Sequence, residues 1–226
     1  FQDPQIGVDM MQFCKQILIQ RGIDHLVFGQ DIDHFFPGCP LDHGGLKDFL
    51  LIEGFDEGEP VSDLVMDLAE YSYSPKVDAD IRSCTEADIA ALDAFLGNAF
   101  PGRWRFDCLR KISHEGKSQF VDLLWIDGAV MGFSVTQTQE CQLPIAGAVW
   151  ARFHGDNWCA LGPIGVSQAV RGQGFGDALL GASLARLRAS GNRVCLIDWT
   201  SLTDWYGKHG FKPASTYLTF SLTLSL

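Results

Sequence analysis

The sequence predicts an α/β protein: a mixed, mostly antiparallel, twisted sheet with helices on both faces. Three observations predict it. Residues 161–211 read as a strand, a glycine-rich turn, a helix, a strand and a short helix. Residues 80–138 read as a strand, helical stripes and a β-hairpin, and residues 1–75 read as helix, strand, helix and strand. With 226 residues and 46% hydrophobic content the chain can bury a substantial core.

The elements follow from local patterns. Met10, Met11, Phe13, Cys14, Ile17 and Leu18 fall on one side of a helix over 5–21, which Gly22 ends. Leu26-Val27-Phe28 is a short buried strand, and Phe35 to Pro40 is a loop. A helix over 46–52 stops at Gly54, a strand covers 61–68, and 71–75 is a linker. Ile81-Arg82 is a strand, and Thr85-x-x-Asp88 opens a helix with an acidic capping box. Ile89, Leu92, Phe95, Leu96 and Phe100 form its stripe, broken by Pro101-Gly102; 104–112 is a second, short helix on the substrate side. Strands 120–126 and 130–138 meet at Asp127-Gly128, a hairpin signal. Strands 146–153 and 158–166 flank the turn His154-Gly155-Asp156-Asn157, and a helix over 177–190 turns Leu179, Leu180, Leu184 and Leu187 inward. Strand 194–199 follows, and the closing strand 217–226 faces Leu218, Phe220, Leu222 and Leu224 one way.

The glycine turn carries the chemistry. Gly172, Gly174 and Gly176 let the backbone approach a bulky anion, and the following helix offers unpaired N–H groups and its positive dipole end. The third glycine comes one residue early for a dinucleotide fingerprint, and no Lys-Ser/Thr follows to make a P-loop. Arg171-x-x-Gly174-x-Gly176 after a strand resembles the acetyl-CoA pyrophosphate loop of the GCN5-related N-acetyltransferases, the GNAT superfamily. Trp205-Tyr206-x-Lys208-x-Gly210-Phe211 resembles a second segment of that superfamily, and the resemblance covers about residues 80–226.

That resemblance implies a GNAT fold for residues 79–226 and acetyl-CoA as cosubstrate. It implies a diphosphate on the backbone of Arg171, Gly172, Gln173, Gly174, Phe175 and Gly176. It places a carbonyl-polarising N–H within Ile164, Gly165 and Val166, and the pantetheine arm in a splay between that strand and 194–199. Tyr206 becomes the general acid for the departing thiolate during direct attack by a primary amine, in a small acceptor such as an amino sugar or an amino-acid-like molecule. Glu140, Asp198 and His154 remain open as the base. The asparagine often found seven residues before the tyrosine is Trp199 here. Trp199 and Trp205 either shape an acceptor pocket or, the favoured reading, fill the core. The acceptor pocket is expected from residues 100–117 and 138–143.

An internal repeat sets the organisation. The interval from Gly7 to Gly22 matches that from Gly176 to Gly191, and Leu26-Val27-Phe28 stands where Cys195-Leu196-Ile197 stands. After a longer loop, residues 48–55 parallel residues 204–211. Residues 1–75 therefore read as the C-terminal half of a degenerate second GNAT unit, with the strands before its glycine loop absent. Gln2 and Gln5 stand in its worn loop, and Leu50 replaces the tyrosine, so it neither holds cofactor nor donates a proton.

Composition excludes other classes. A net charge of −11 opposes nucleic-acid binding. No apolar run reaches the roughly 18 residues that span a bilayer, and no signal-peptide pattern opens the chain. Seven scattered cysteines without a C-x-x-C pair fit a reducing, cytoplasmic setting and oppose zinc. The histidines show no metal spacing; His34 beside Asp31 and Asp33 reads as a solvated turn. Two alternatives stand beside the enzyme: an inactive CoA-binding regulatory module, and an interaction scaffold whose half-unit completes its sheet on another chain, a homodimer being one form this allows.

Overall fold

A computed structural model describes residues 4–29, 36–143, 153 and 155–225. The strand expected at 146–153 (apart from Phe153), His154 and the His34 turn lie outside the described residues. The elements in order are α1 (Pro4–Gln20), β1 (His25–Phe28), β2 (Cys39–Pro40), α2 (Gly44–Ile52), β3 (Asp56–Asp67) and β4 (Asp80–Ser83). Then come α3 (Ile89–Ala99), α4 (Arg103–Glu115), β5 (Val121–Ile126), β6 (Ala129–Thr138) and β7 (Trp158–Val166). The chain closes with α5 (Phe175–Ala189), β8 (Val194–Thr200), α6 (Thr203–Gly207) and β9 (Lys212–Thr223). These strands form one mixed, mostly antiparallel sheet in the order β1-β9-β3-β8-β7-β6-β5-β4, with β2 also paired to β9. Among the described residues only β7 and β8 run parallel.

The alternation of β5 and β6 explains two helical layers. Val121, Leu123, Phe133 and Val135 pack with Leu92, Leu96 and Cys108 of α3 and α4. Their neighbours in sequence point the other way, where buried Asp122 accepts from Ser183 Oγ (2.7 Å) and Arg186 Nη2 (2.7 Å) of α5. The second core joins α5, β8 and β3 through Leu180, Leu184, Ile197, Leu64 and Met66. A third gathers Leu50 and Phe55 with Leu218 and Phe220 of β9. Five of the seven cysteines are buried and Cys14 is exposed.

The two halves share this sheet by exchanging their last strands. β3, which precedes the linker, lies between β8 and β9. The pairing obeys the repeat residue by residue. His25–Thr223, Leu26–Leu222, Val27–Ser221 and Phe28–Phe220 correspond to Val194–Asp67, Cys195–Met66, Leu196–Val65 and Ile197–Leu64. Within the β3–β9 ladder, Asp56–Ser221 corresponds to Lys212–Val65, and Val61–Tyr217 maps onto itself. The sheet thus has a pseudo-twofold axis at Val61–Tyr217.

Several expectations need correction. Cys39–Pro40, read as loop, forms β2. β3 begins at Asp56 rather than 61 and β9 at Lys212 rather than 217, because Asp56–Val65 and Lys212–Ser221 pair with each other. α4 runs to Glu115, held there by fully buried Lys111, whose Nζ donates to Leu143 O at 2.9 Å and lies 3.5 Å from Glu115 Oε1. In α1 the apolar stripe divides: Met10 is 57% and Phe13 64% exposed and Cys14 is exposed, while Met11, Ile17 and Leu18 are half-buried, Met11 against the third core.

The capping box formed. Asp88 accepts from Thr85 N at 2.9 Å and from both Arg82 Nη atoms at 2.7 and 3.0 Å. Arg82 first, then Thr85, hold its carboxyl well below the usual carboxylate range. A depressed folded pKa stabilises above the unfolded value near about 3.9 and loses that contribution as pH falls through the folded value. Asp88→Asn is expected to cost about 1 kcal/mol in urea unfolding at pH 7, a deficit that shrinks as the pH drops below about 3.5.

Candidate active site

The site begins where β7 and β8 separate. Their pairing covers Trp158–Val194, Cys159–Cys195 and Ala160–Leu196, and then stops. On the other side of β7, Leu161 faces Thr136 and Ile164 faces Ser134, so β7 carries one extra residue at Gly162–Pro163. A bulge bends its strand, and Pro163 has no N–H to offer a ladder. β8 does not follow, because β3 holds it as far as the Ser62–Thr200 pair. The expected splay is therefore present, and two cavities adjoin across Trp104, Ile164 and Leu202.

The first cavity, about 560 Å³, is bounded by Ile164, Gly165 and Val166, by Gly172, Gly174 and Gly176, and by Trp205. Gly172 (φ 75°) and Gly174 (φ 89°) adopt the left-handed conformation that turns the chain into α5. No side chain caps α5. Among the described residues, nothing accepts from the amides of Gly172 through Asp177. Arg171 Nε instead donates to Val166 O (3.3 Å) and Gln173 Nε2 to Ala169 O (3.1 Å), folding both side chains back from those amides. Phe175 and Gly176 belong to the first turn of α5 rather than to the loop, and Phe175 does not line the cavity.

Phe100 and Trp104, from the stretch 100–117 expected around the acceptor, wall this cavity, and Trp104 borders the second as well. A Cβ on Gly165 would lie 2.6 Å from the Phe100 ring, so the glycine admits this aromatic wall, whose ring centroids are 5.2 Å apart. A glycine inside a strand was the available signal. Asp177 is a residue that sequence reasoning passed over. Its Oδ1 accepts from Trp205 Nε1 (2.9 Å) and lies 3.0 Å from His209 Nε2, while His209 Nδ1 contacts Tyr71 OH at 3.3 Å. This chain of contacts ties the first turn of α5 to α6 and the linker.

The second cavity, about 400 Å³, receives Tyr206, Asp198 and Trp199 from the C-terminal strand and helix, Asp107 from α4 and Val61 from β3. Tyr206 is 5% exposed and packs edge-on against Trp205 and Phe211 at 4.6 and 5.7 Å. No described residue hydrogen-bonds its hydroxyl. Burial, and next the Asp198 charge, push its pKa above the ordinary phenol range, so it stays protonated. Asp107 accepts from Arg103 Nε at 3.1 Å. Of the base candidates, Asp198 lines this cavity, Glu140 is exposed and lines neither, and His154 lies outside the described residues.

Trp199 is a half-buried wall of the second cavity, while half-buried Trp205 lines the first cavity and also packs against the second core. Trp199 has φ 45°, a conformation that persists for a bulky residue only when its surroundings enforce it. Here Asp63 Oδ1 of β3 accepts its N–H at 2.9 Å and Pro37 O accepts its indole N–H at 2.7 Å. Tyr217 OH donates to Asp63 Oδ2 at 3.1 Å. The N-terminal half thus shapes the wall beside Asp198. No group of His, Cys, Asp and Glu able to hold a metal occurs among the described residues, and no described helix is long and apolar enough to cross a membrane.

This geometry agrees with a family model, Acetyltransferase (GNAT) family, that matches residues 90–211. The chain belongs to the GNAT acetyltransferase family. A fungal structure described as a GCN5-related glucosamine N-acetyltransferase region of a multi-domain β-N-acetylglucosaminidase shares the GNAT fold with TM-score 0.80 and 21% identity; the match covers 91% of this chain and 26% of that one. A GNAT protein of Sphaerobacter thermophilus follows at TM-score 0.66 and 16% identity, covering 83% of this chain and 59% of its own. A tandem GNAT protein from the clavulanic acid biosynthesis pathway aligns along 100% of this chain, which spans 72% of it, at TM-score 0.60 and 14% identity. The chain therefore spans about a quarter of the fungal protein and under two thirds of the Sphaerobacter one. No curated protein matches the chain in sequence.

Two substitutions test the site. Gly174→Ala puts a Cβ at positive φ and is expected to cost about 1 kcal/mol of stability. It should weaken coenzyme A binding at least tenfold by calorimetry, because the added Cβ is strained at this φ and lies 3.2 Å from Val77 Cγ1, so the glycine loop must shift. Asp63→Ala strips the acceptor from Trp199 N–H and Tyr217 OH, with an expected loss of about 2–3 kcal/mol in urea unfolding and a changed near-ultraviolet dichroism from Trp199.

Proposed function

We propose that this chain transfers an acetyl group from acetyl-CoA directly to the primary amine of a small acceptor, an amino sugar of the glucosamine type. The observation that carries this reading is the split between β7 and β8, with bare amides on one side and the Tyr206 hydroxyl on the other. In this reading the diphosphate rests on the amides of residues 171–176, where backbone N–H groups and the helix dipole favour an anion. The pantetheine arm follows the edge of β7 beyond Ala160, and an N–H within Ile164–Val166 polarises the thioester carbonyl.

The acceptor enters the second cavity. In this reading the indole rings of Trp104 and Trp199 pack against a small acceptor bearing hydroxyls, with Asp198 and the Arg103–Asp107 ion pair as the polar part of the wall. Its neutral amine attacks the carbonyl carbon, the C–N bond forms, and the C–S bond breaks. Tyr206 gives its proton to the thiolate, and Asp198 stands where it can take the proton from the nitrogen. The fungal region that shares this fold is described as a glucosamine N-acetyltransferase, which supports the acceptor class.

Thiol release from acetyl-CoA in the presence of glucosamine and a panel of other amines tests the proposal. Turnover with an amino sugar supports it; tight acetyl-CoA binding by calorimetry without thiol release from any amine points to the regulatory module instead. Tyr206→Phe is expected to lower kcat about 100-fold with little change in the KM for acetyl-CoA.

A further inference from the structure

The pseudo-twofold axis of the sheet leaves one place empty among the described residues. On β8, Val194, Cys195 and Leu196 carry β7 as a parallel neighbour. Their counterparts under the repeat are His25, Leu26 and Val27 of β1, which pairs with β9 on one side and ends the sheet on the other. An open edge presents a row of unpaired N–H and C=O groups to another strand.

The helix above that edge is uncovered in the same way. α5 lies on β5, β6 and β7 and fully buries Leu179, Ser183 and Leu184, with Leu187 1% exposed. The counterparts of Leu179 and Ser183 in α1 are Met10, 57% exposed, and Cys14, also exposed. Ile6 and Phe13 extend the stripe at 49% and 64%. No described residue of α1 is buried. An apolar helix face beside an open strand edge is what remains when the sheet that supports both is taken away.

We propose that this face seats an antiparallel sheet of the β4–β7 kind, its last strand parallel to β1 opposite His25–Val27, supplied by the same polypeptide directly ahead of α1. The repeat argues for that source. The strand beside β8 is the one that runs into α5 through the glycine loop, so the strand beside β1 is the one that runs into α1. A second copy of the chain offers no such strand. Its β7 is already paired by β6 and β8, and β1 against β1 about a two-fold axis would be antiparallel. The tandem GNAT fold that aligns along this whole chain extends beyond it.

Alkylation of Cys14 tests this. The gene product with everything encoded ahead of Phe1 is compared with the chain that starts at Phe1, using half-exposed Cys141 as internal control. Cys14 should react at least tenfold more slowly in the longer polypeptide, at every protein concentration, and β1 amides should exchange more slowly with deuterium. Met10→Glu in the longer polypeptide should restore Cys14 reactivity. Equal Cys14 rates in the two overturn the proposal. So does protection of the shorter chain that grows with concentration, the mark of a second copy, or a reading frame with no such sheet ahead of Phe1.

Discussion

The parting of β7 and β8 after three residue pairs is the constraint on which the site depends. Two causes act on the two strands separately. β7 is bent by a bulge at Gly162–Pro163, where proline supplies no donor. β8 is paired on its far side with β3 as far as Thr200, with an extra residue of its own at Asp198–Trp199. Had β8 been free, it could have followed β7 and closed the gap with hydrogen bonds. The cleft exists because the strand next to it is already committed elsewhere.

That commitment gives the N-terminal half a role, although its own glycine loop is worn. Its strand β3 takes the position beside β8, and β9 takes the matching position beside β1. Asp63 on β3 holds the backbone of Trp199 and the hydroxyl of Tyr217. One buried carboxylate from the first half thereby fixes an indole wall in the second. Neither half completes its sheet alone, which is the physical sense in which the two repeats are one body.

Some of the site was legible because its signals are local. Gly172 and Gly174 can take positive φ where other residues strain, so their spacing announced the turn into α5. Thr85-x-x-Asp88 announced a helix start, and the structure places the Thr85–Asp88 bond there. The repeat was legible as matched intervals between glycines. Asp177 was not, since it acts on partners distant in sequence, Trp205 and His209, and the contact of Phe100 with Gly165 was hidden for the same reason. The exposure of Met10, Phe13 and Cys14 in α1 was hidden for a related reason. Helical periodicity shows that a face is apolar, and it does not say whether a sheet lies beneath it.

The sequence by itself determined the glycine turn, the element order, the family and the placement of Tyr206 on a short helix after β8. The turn and the elements rest on dihedral preference or periodicity within a few residues, the family on the resemblance of two motifs to known proteins. The tertiary structure alone decided that β3 and β9 exchange places, that Trp199 is a wall held by Asp63, and that two cavities meet at the split. Those outcomes depend on which strand edges find each other, and edge pairing is a competition among segments far apart in the chain that no local pattern records.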